Sequence, residues 1–428
     1  MNATTPTNPW GIPDHLRQFE PSQAAALARL RRVQPAAYAR TRNALDGAVT
    51  GLSPYFTHGM LSLADAARSI NVQSTALGRA PLGFDDKLVF EFGWREFFHH
   101  VWQHAANQGD AILRDMHSSP PWPGKYADTV PDDIRQGRTG VPAIDSTVRT
   151  LYATGYLHNH TRMWLASYMV HVRKVHWRAG ADWLYGHLLD GDLPSNHLSW
   201  QWVAGTLSGK PYLFNADNVL KFAPATARKA WASPHTVLDT SYEDLEDRAQ
   251  SKAGAGPERG AHAGVEEPAL AGTNDAASHE SFVLLRQAIQ APFAIEKIAN
   301  KHLELVHPWA LSPRRAESHD NLFRLGIIHL PAHAHWPWSA RRWQFVLQAM
   351  ADVTDAVWIG DLGSLDLSGC ARATTQATQF PGYREALGRV ATLSPAPRLL
   401  PKLPTPCRSF SKFYQQVQRD VDAFADLL

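Results

Sequence analysis

The stretch from Gly155 to Pro224 constrains this chain more than any other, because it sets Asn, Asp, Arg and Trp at close intervals inside an otherwise helical apolar pattern. Met163, Leu165, Ala166, Met169, Val170 and Val172 recur at helical spacing, which predicts a helix over about 158–174 and a second over about 180–189. The turn that follows, Asp190 to Asn196, delivers two carboxylates and an amide together. A buried polar side chain left without a partner costs about 1–3 kcal/mol. Polar groups set beside a wall of Trp, Leu and Met are therefore expected to enclose something polar and aromatic.

Three motifs follow one another here. They are Thr154, Gly155, Tyr156, His158, Asn159, Arg162 and Met163; then Trp177, Arg178 and Gly180; then Asp190, Asp192, Asn196, Trp200 and Trp202. In this order and at these intervals the chain resembles the flavin-binding core of the photolyase and cryptochrome family. The fold implied is an all-helical FAD-binding domain, here expected over about residues 20–235 after an irregular tail over 1–19.

Composition is compatible with that reading. The 428 residues can hold two or three domains. With 44% hydrophobic and 19% charged residues the chain reads as globular and soluble, and no apolar run reaches the length of a membrane span. The N-terminus MNATTPTNPWGIPDHLR lacks the basic-then-apolar order of a signal peptide, so a cytoplasmic location is expected, and a monomer. Cys370 and Cys407 are too few for a four-thiolate iron–sulfur cluster, which excludes the iron–sulfur branch of the family. A net charge of +2 neither announces nor forbids nucleic acid, so any DNA contact needs a local basic face. Fifteen Trp suit stacking on a flavin or on bases, although most are expected to be core.

Upstream, within 21–48, Ala-Leu-Arg periodicity predicts a helix, PSQAAALARLRRV, followed by Tyr38 to Arg42. Leu52 to Ser62 resembles the family segment that holds the flavin pyrophosphate, so Tyr38, Thr50 and Ser53 are carried over as cofactor ligands. The family often has Arg before that Leu-Ser pair where this chain has Gly51, and Arg42 is expected to supply the charge. Glu91 to His100 resembles the helix whose first Glu and Trp face a flipped lesion, with Arg95 near the cofactor phosphates. His100 with His104, and His158 with His160, have metal-pair spacing, but no third ligand is fixed by sequence and no metal is expected.

After Pro224 the resemblance fades. Gln250 to Ser278 is rich in Gly, Ala, Pro and Glu and is expected to be a mobile linker, within a connection over 236–280. Apolar runs at Leu303–Val306 and Leu325–Leu330, a helix from Ser339 to Val353 and a strand at Ala356–Gly360 predict an α/β domain over 281–428. Family members normally carry an α/β antenna domain before the flavin domain. His319, Asp320 and Asn321, and Phe410 to Tyr414, resemble pieces of the family pattern, so a displaced relative of the antenna domain is one reading and an unrelated α/β domain the other. No antenna pigment can be named from sequence.

The resemblance implies roles. Asn196 lies at the flavin N5, where Asn rather than Asp favours a photolyase-like cycle. Arg162 and Asp190 form an ion pair beside the ring, with Asp192 at its polar edge. Trp200 and Trp177 are the inner members of an electron-transfer ladder. The alignment puts Gly124 at the outer place, so Trp122 or Tyr126 takes it over. Glu91, Trp94, Asn159, Met163 and Trp202 form the lesion pocket, and Asn159 with Met163 matches enzymes acting on cyclobutane dimers. His160 stands where repair enzymes commonly carry an Arg that meets DNA phosphate. The implied function is light-driven repair of cyclobutane pyrimidine dimers in damaged DNA by electron transfer from reduced FAD. The alternative is a cryptochrome-like blue-light receptor without repair, and a light-independent flavoprotein is a third reading.

Overall fold

The computed structural model describes residues 8–106, 125–258, 263–272, 282–291, 293–314 and 321–428. The first part is helical, and a five-stranded parallel sheet follows, in keeping with the fold class expected from sequence. The helices that build the site are α1 (Ser53–Thr57), α2 (Lys87–Ala106), α3 (Asn159–Ser167), α4 (Trp177–His187) and α5 (Leu193–Ala204). The helix expected near the N-terminus is Gln23–Leu30, and a second, Pro35–Thr41, follows it as a separate helix because Pro35 lacks the N–H that a continuous helix would need.

Three of the site helices start on a side-chain cap. His158 accepts from the His160 N–H at 3.1 Å, His176 from Arg178 at 3.2 Å, and Asp192 from Ser195 at 3.0 Å. The helix expected over 158–174 is α3 followed by a π-turn, Tyr168–Val172. The second expected helix starts earlier, at Trp177. Asn196 lies within α5 rather than in the preceding turn, because the Asp192 cap and Pro194 open that helix at Leu193. Gly155 ends the preceding helix at φ +68°, and a Cβ there would also lie 2.8 Å from Leu189 and 2.9 Å from Arg341, so both backbone and space require glycine.

The strands are β1 (His302–Val306), β2 (Leu322–His329), β3 (Ala356–Gly360), β4 (Arg372–Gln376) and β5 (Thr392–Ser394), all parallel in the order β3-β2-β1-β4-β5. That is the doubly wound order, in which the crevice between β1 and β4 is where the chain reverses direction of winding. At its carboxyl end Trp309 stacks on Phe380 with ring centroids 4.1 Å apart. The same loop meets the helical part. The Leu311 N–H donates to the His58 carbonyl at 2.9 Å, and a Cβ on Gly59 would lie 2.6 Å from the Trp309 carbonyl.

Two further helices complete that meeting, α6 (Ala340–Val353) and α7 (Phe410–Arg419). One apolar core runs from Tyr55, Phe97 and Trp102 through Tyr185 and Leu189 into Leu303, Ile327, Val346 and Phe413. A second lies under the site and holds Trp164, Met169, Trp177 and Trp200. Because the first core is continuous across both parts, the sheet is packed onto the helices rather than tethered to them.

The stretch expected to be a mobile linker is anchored where it is described. A helix covers Tyr242–Gln250, and the N–H groups of Ala255, Glu258 and Val265 donate to Val172, Thr139 and Gln136. Glu267 accepts from Trp183 at 2.7 Å and His187 at 3.1 Å and pairs with Arg135 at 3.1 Å. Leu270–Ala271 pairs antiparallel with Trp338–Ser339. Low apolar content hid this anchoring, because polar and backbone bonds carry it.

Candidate functional site

Two helix ends and the turn between them build the site. The Leu189 N–H donates to the Gly155 carbonyl at 2.8 Å, which brings the acidic turn beside the start of α3. There one guanidinium nitrogen of Arg162 reaches both oxygens of Asp190, at 3.0 and 2.7 Å, while its Nε donates to the Leu157 carbonyl at 2.9 Å. Burial alone would lower the pKa of Arg162, but Asp190 and Tyr156 outweigh it and hold the guanidinium charged.

Asp192 faces α2. It takes hydrogen bonds from His99 Nε2 at 3.0 and 3.1 Å and from the Ser195 hydroxyl at 2.5 Å, with Arg95 at 3.4 Å. Burial pushes its carboxyl up, yet Arg95 and His99 hold it well below the usual carboxylate range. Sequence reasoning missed His99, Ser195 and Thr57. Thr57 donates to the Asp190 carbonyl at 3.2 Å and accepts from Arg95 at 3.4 Å. His99 could have been found only by noting that it lies one turn beyond Arg95 on the same helix.

The cations of this cluster are partly open to solvent. Protein surrounds Arg162, yet 23% of its side chain is exposed. Glu91 behaves alike: burial pushes its carboxyl up, against the charge of Arg42 at 3.6 Å, while 39% of the side chain reaches solvent. Burial also raises the half-buried Tyr38 phenol. The Asn196 amide donates to the Ala181 carbonyl at 2.8 Å, which fixes its orientation and leaves Oδ1 an acceptor without a partner among the described residues.

The hydroxyls expected at a pyrophosphate have partners within the protein. The Ser53 hydroxyl donates to Asp190 at 2.5 Å, so its proton is committed there. Thr50 accepts from the Leu52 N–H at 3.3 Å. The cation beside Gly51 is Arg29, whose Nη1 would lie 3.0 Å from a Cβ, and not Arg42, which turns to Glu91. Arg29 is held there by the carbonyls of His15 and Gln18 and the Tyr55 hydroxyl, to which it donates.

Trp177 and Trp200 are each 2% exposed and share one core. The Trp200 ring lies so close to Gly180 that a Cβ there would be 2.3 Å away. Trp122 lies outside the described residues; Tyr126 is described, with the Lys174 ammonium 5.9 Å from its ring. Of the residues expected at a lesion, Asn159 is exposed and its amide touches Met163 Sδ at 3.4 Å. Trp202 borders both cores. Trp94 is half-buried, with Phe410 of α7 stacked on it at 4.1 Å and 8° between planes, so a base has at most its other face. His160 packs on Phe222 with ring centroids 4.5 Å apart, and burial lowers its pKa to about 4, so it brings no charge at neutral pH.

Of the His pairs, His100 spends Nε2 on the Cys407 N–H at 3.0 Å, and His158 spends Nδ1 on its helix cap. No group of three or more His, Cys, Asp or Glu among the described residues could hold a metal ion, and no helix among them is long and apolar enough to cross a membrane.

Residues 88–230 match the family model described as the FAD binding domain of DNA photolyase. A deoxyribodipyrimidine photo-lyase of Synechococcus sp. is 33% identical over 50% of this chain and 45% of its own length. Cryptochrome-1 of Arabidopsis thaliana is 29% identical over 49% of this chain and 34% of its own. The chain thus spans less than half the length of these two relatives. The solved structure of a Synechocystis sp. cryptochrome is 25% identical, with a TM-score of 0.43 over 56% of this chain and 54% of that one.

Proposed function

Because the chain belongs to the DNA photolyase/cryptochrome family, with the FAD-binding domain of a photolyase, we propose that it holds FAD at the Asp190–Asp192 cluster and repairs cyclobutane pyrimidine dimers under light. The donor set fits such a group. Arg162 and Arg95 offer charge, Asp192 and His99 offer a polar edge, and Asn196 Oδ1 offers an acceptor to a ring N–H. A bound FAD would supply light absorption and the electron; the protein supplies position and field.

The observation that carries the proposal is Asn196. One N–H of its amide donates to Ala181, which fixes Oδ1 as an acceptor facing away from that bond, and such an acceptor suits a ring nitrogen that bears hydrogen. Arg162 stays charged in a largely enclosed site, where a cation favours electron-rich states of a neighbouring ring. Trp200 and Trp177, closed off from water, are the electron donors we assign. Asn159, Met163, Trp202, Glu91 and the open face of Trp94 are the lesion contacts we assign. Extruding a poorly stacked dimer costs only a few kcal/mol, and photolyases are themselves among the enzymes known to take their target bases out of the stack.

A second reading rests on His160. A neutral imidazole packed on Phe222 offers DNA phosphate no charge, which favours a photoreceptor of cryptochrome type. The doubly wound sheet supports reading the C-terminal part as a displaced relative of the antenna domain. The test is to load the protein with FAD, illuminate it with blue light, and titrate it with dimer-containing and undamaged oligonucleotides. Tighter binding of the damaged strand supports the lesion pocket, whereas a photoreducible flavin with no lesion preference moves the assignment to a photoreceptor.

A further inference from the structure

Arg342 lies on α6, some 150 residues beyond the acidic turn, yet it is wholly buried beneath that turn. Its two terminal nitrogens donate to the carbonyls of Tyr185 at 2.9 Å and Gly191 at 2.5 Å. Its guanidinium lies between two rings, 4.6 Å from the centroid of Tyr185 and 4.1 Å from that of Trp338. The fit leaves no slack, since a Cβ on Gly191 would lie 2.3 Å from Nη1. Nε has no partner among the described residues.

Such an arrangement is costly if its purpose is only to join two domains. A buried guanidinium with carbonyl partners keeps most of its desolvation penalty, and apolar side chains of like volume commonly pack as well. Something must offset the charge. Gly191 separates Asp190 from Asp192, and both carboxylates act on Arg342 through space. With Arg162 and Arg95 paired to the same turn, three guanidinium groups face two carboxylates, and His99 adds charge when protonated. The cluster therefore has a positive charge in excess, and an anion completes it.

We propose that Arg342 is a positioning residue of the flavin site, which fixes the Leu189–Asp192 turn from the α/β domain and supplies the positive charge that a reduced, anionic flavin balances. This rests on the reading that the cluster holds FAD. It makes the α/β domain part of the cofactor site, because the fork of Arg342 sets where Asp190 and Asp192 stand while its charge acts across the turn. His58 serves the same join, its two ring nitrogens meeting the carbonyls of Pro308 at 2.7 Å and Leu189 at 2.9 Å.

The test compares the full chain with Arg342→Met, which keeps volume, and Arg342→Lys, which keeps charge but not the fork. Two quantities are measured: the midpoint potential of bound FAD, and amide hydrogen exchange over residues 186–196. Arg342→Met should lower the potential and weaken FAD retention about tenfold, the order expected for losing one charge that acts across the turn. Arg342→Lys should hold the potential near that of the parent, while both variants exchange faster over 186–196. A parent-like potential in Arg342→Met overturns the charge role, and parent-like exchange in both variants overturns the clamp. Should Arg342→Met fail to fold, parent-like exchange in Arg342→Lys alone overturns the clamp. If the parent takes up no FAD, the flavin reading fails, and exchange measured without FAD still decides the clamp.

Discussion

Arg162 and Asp190 stand 28 residues apart in the chain and meet through one guanidinium nitrogen that reaches both carboxylate oxygens, at 3.0 and 2.7 Å. Asp190 keeps only 2% of its side-chain exposure, so the pair is the fixed point from which the site is built. Removing Arg162 takes from Asp190 the cation hydrogen-bonded to it, and breaking such a buried pair costs about 3–5 kcal/mol. Arg162→Ala should therefore lose roughly 3 kcal/mol of stability in urea unfolding, together with its FAD. A variant as stable and as yellow as the parent would contradict the role of the pair.

Acid should act on the site through Asp192. Burial would raise its folded-state pKa, but Arg95 and His99 depress it, so its contribution is present above the ordinary carboxylate pKa and is lost as pH falls below that value. Arg95→Ala removes one of these causes. Acid release of FAD, followed by fluorescence, should begin at higher pH in that variant, and an unchanged midpoint would show that Arg95 does not hold the carboxylate.

Electron supply should depend on the two enclosed indoles. Trp200→Phe and Trp177→Phe should each slow photoreduction of bound flavin at least about tenfold, an order-of-magnitude expectation for losing a relay. The absorbance of the flavin under blue light, with an external thiol as reductant, reads this directly. Photoreduction at the parent rate in both variants would remove the ladder from the account.

Three histidines should make the fold acid-sensitive. His158 donates from Nε2 to the Arg42 carbonyl and accepts at Nδ1 from His160; His307 donates to Gln376 and accepts from Trp309. Both rings are therefore neutral, and His171 is likewise buried against the Val203 carbonyl. Burial lowers their pKa values to about 3 for His158 and about 4 for His307 and His171. The unfolded chain then binds more protons than the native one from about pH 6.5 downward, so stability falls as pH drops through that window. The midpoint of thermal unfolding should be lower at about pH 5 than at about pH 7.5, and equal midpoints would contradict these tautomers.

The sequence made the acidic turn legible because its partners lie on one continuous stretch: Arg162, Asp190, Asp192 and Asn196 fall on nearby helices and the turn that leads into the last of them. It could not reveal Arg342, since neither local periodicity nor motif spacing reports which distant side chain fills the underside of a turn, and His99 was within reach only through its place one turn beyond Arg95. At Gly51, where the resemblance pointed to Arg42 for the missing charge, the guanidinium nearest in space is that of Arg29. Three of the five strands were visible as apolar runs alternating with an amphipathic helix, whereas Arg372–Gln376 and Thr392–Ser394 were not, because their residues are mostly polar. Anchoring of the connection was not, because Glu267 holds it through Trp183, His187 and Arg135 rather than through apolar contact.

The central claim is that this site, once it holds reduced FAD, acts on a lesion in DNA. The direct measurement is the loss of thymine dimers from ultraviolet-irradiated oligonucleotides, single- and double-stranded, with the FAD-loaded and photoreduced protein under blue light and in the dark. The account predicts light-dependent loss that falls when Asn159, Met163 or Trp202 is replaced by Ala. Dimer content unchanged by light, from a protein whose flavin is fully reduced, would contradict it.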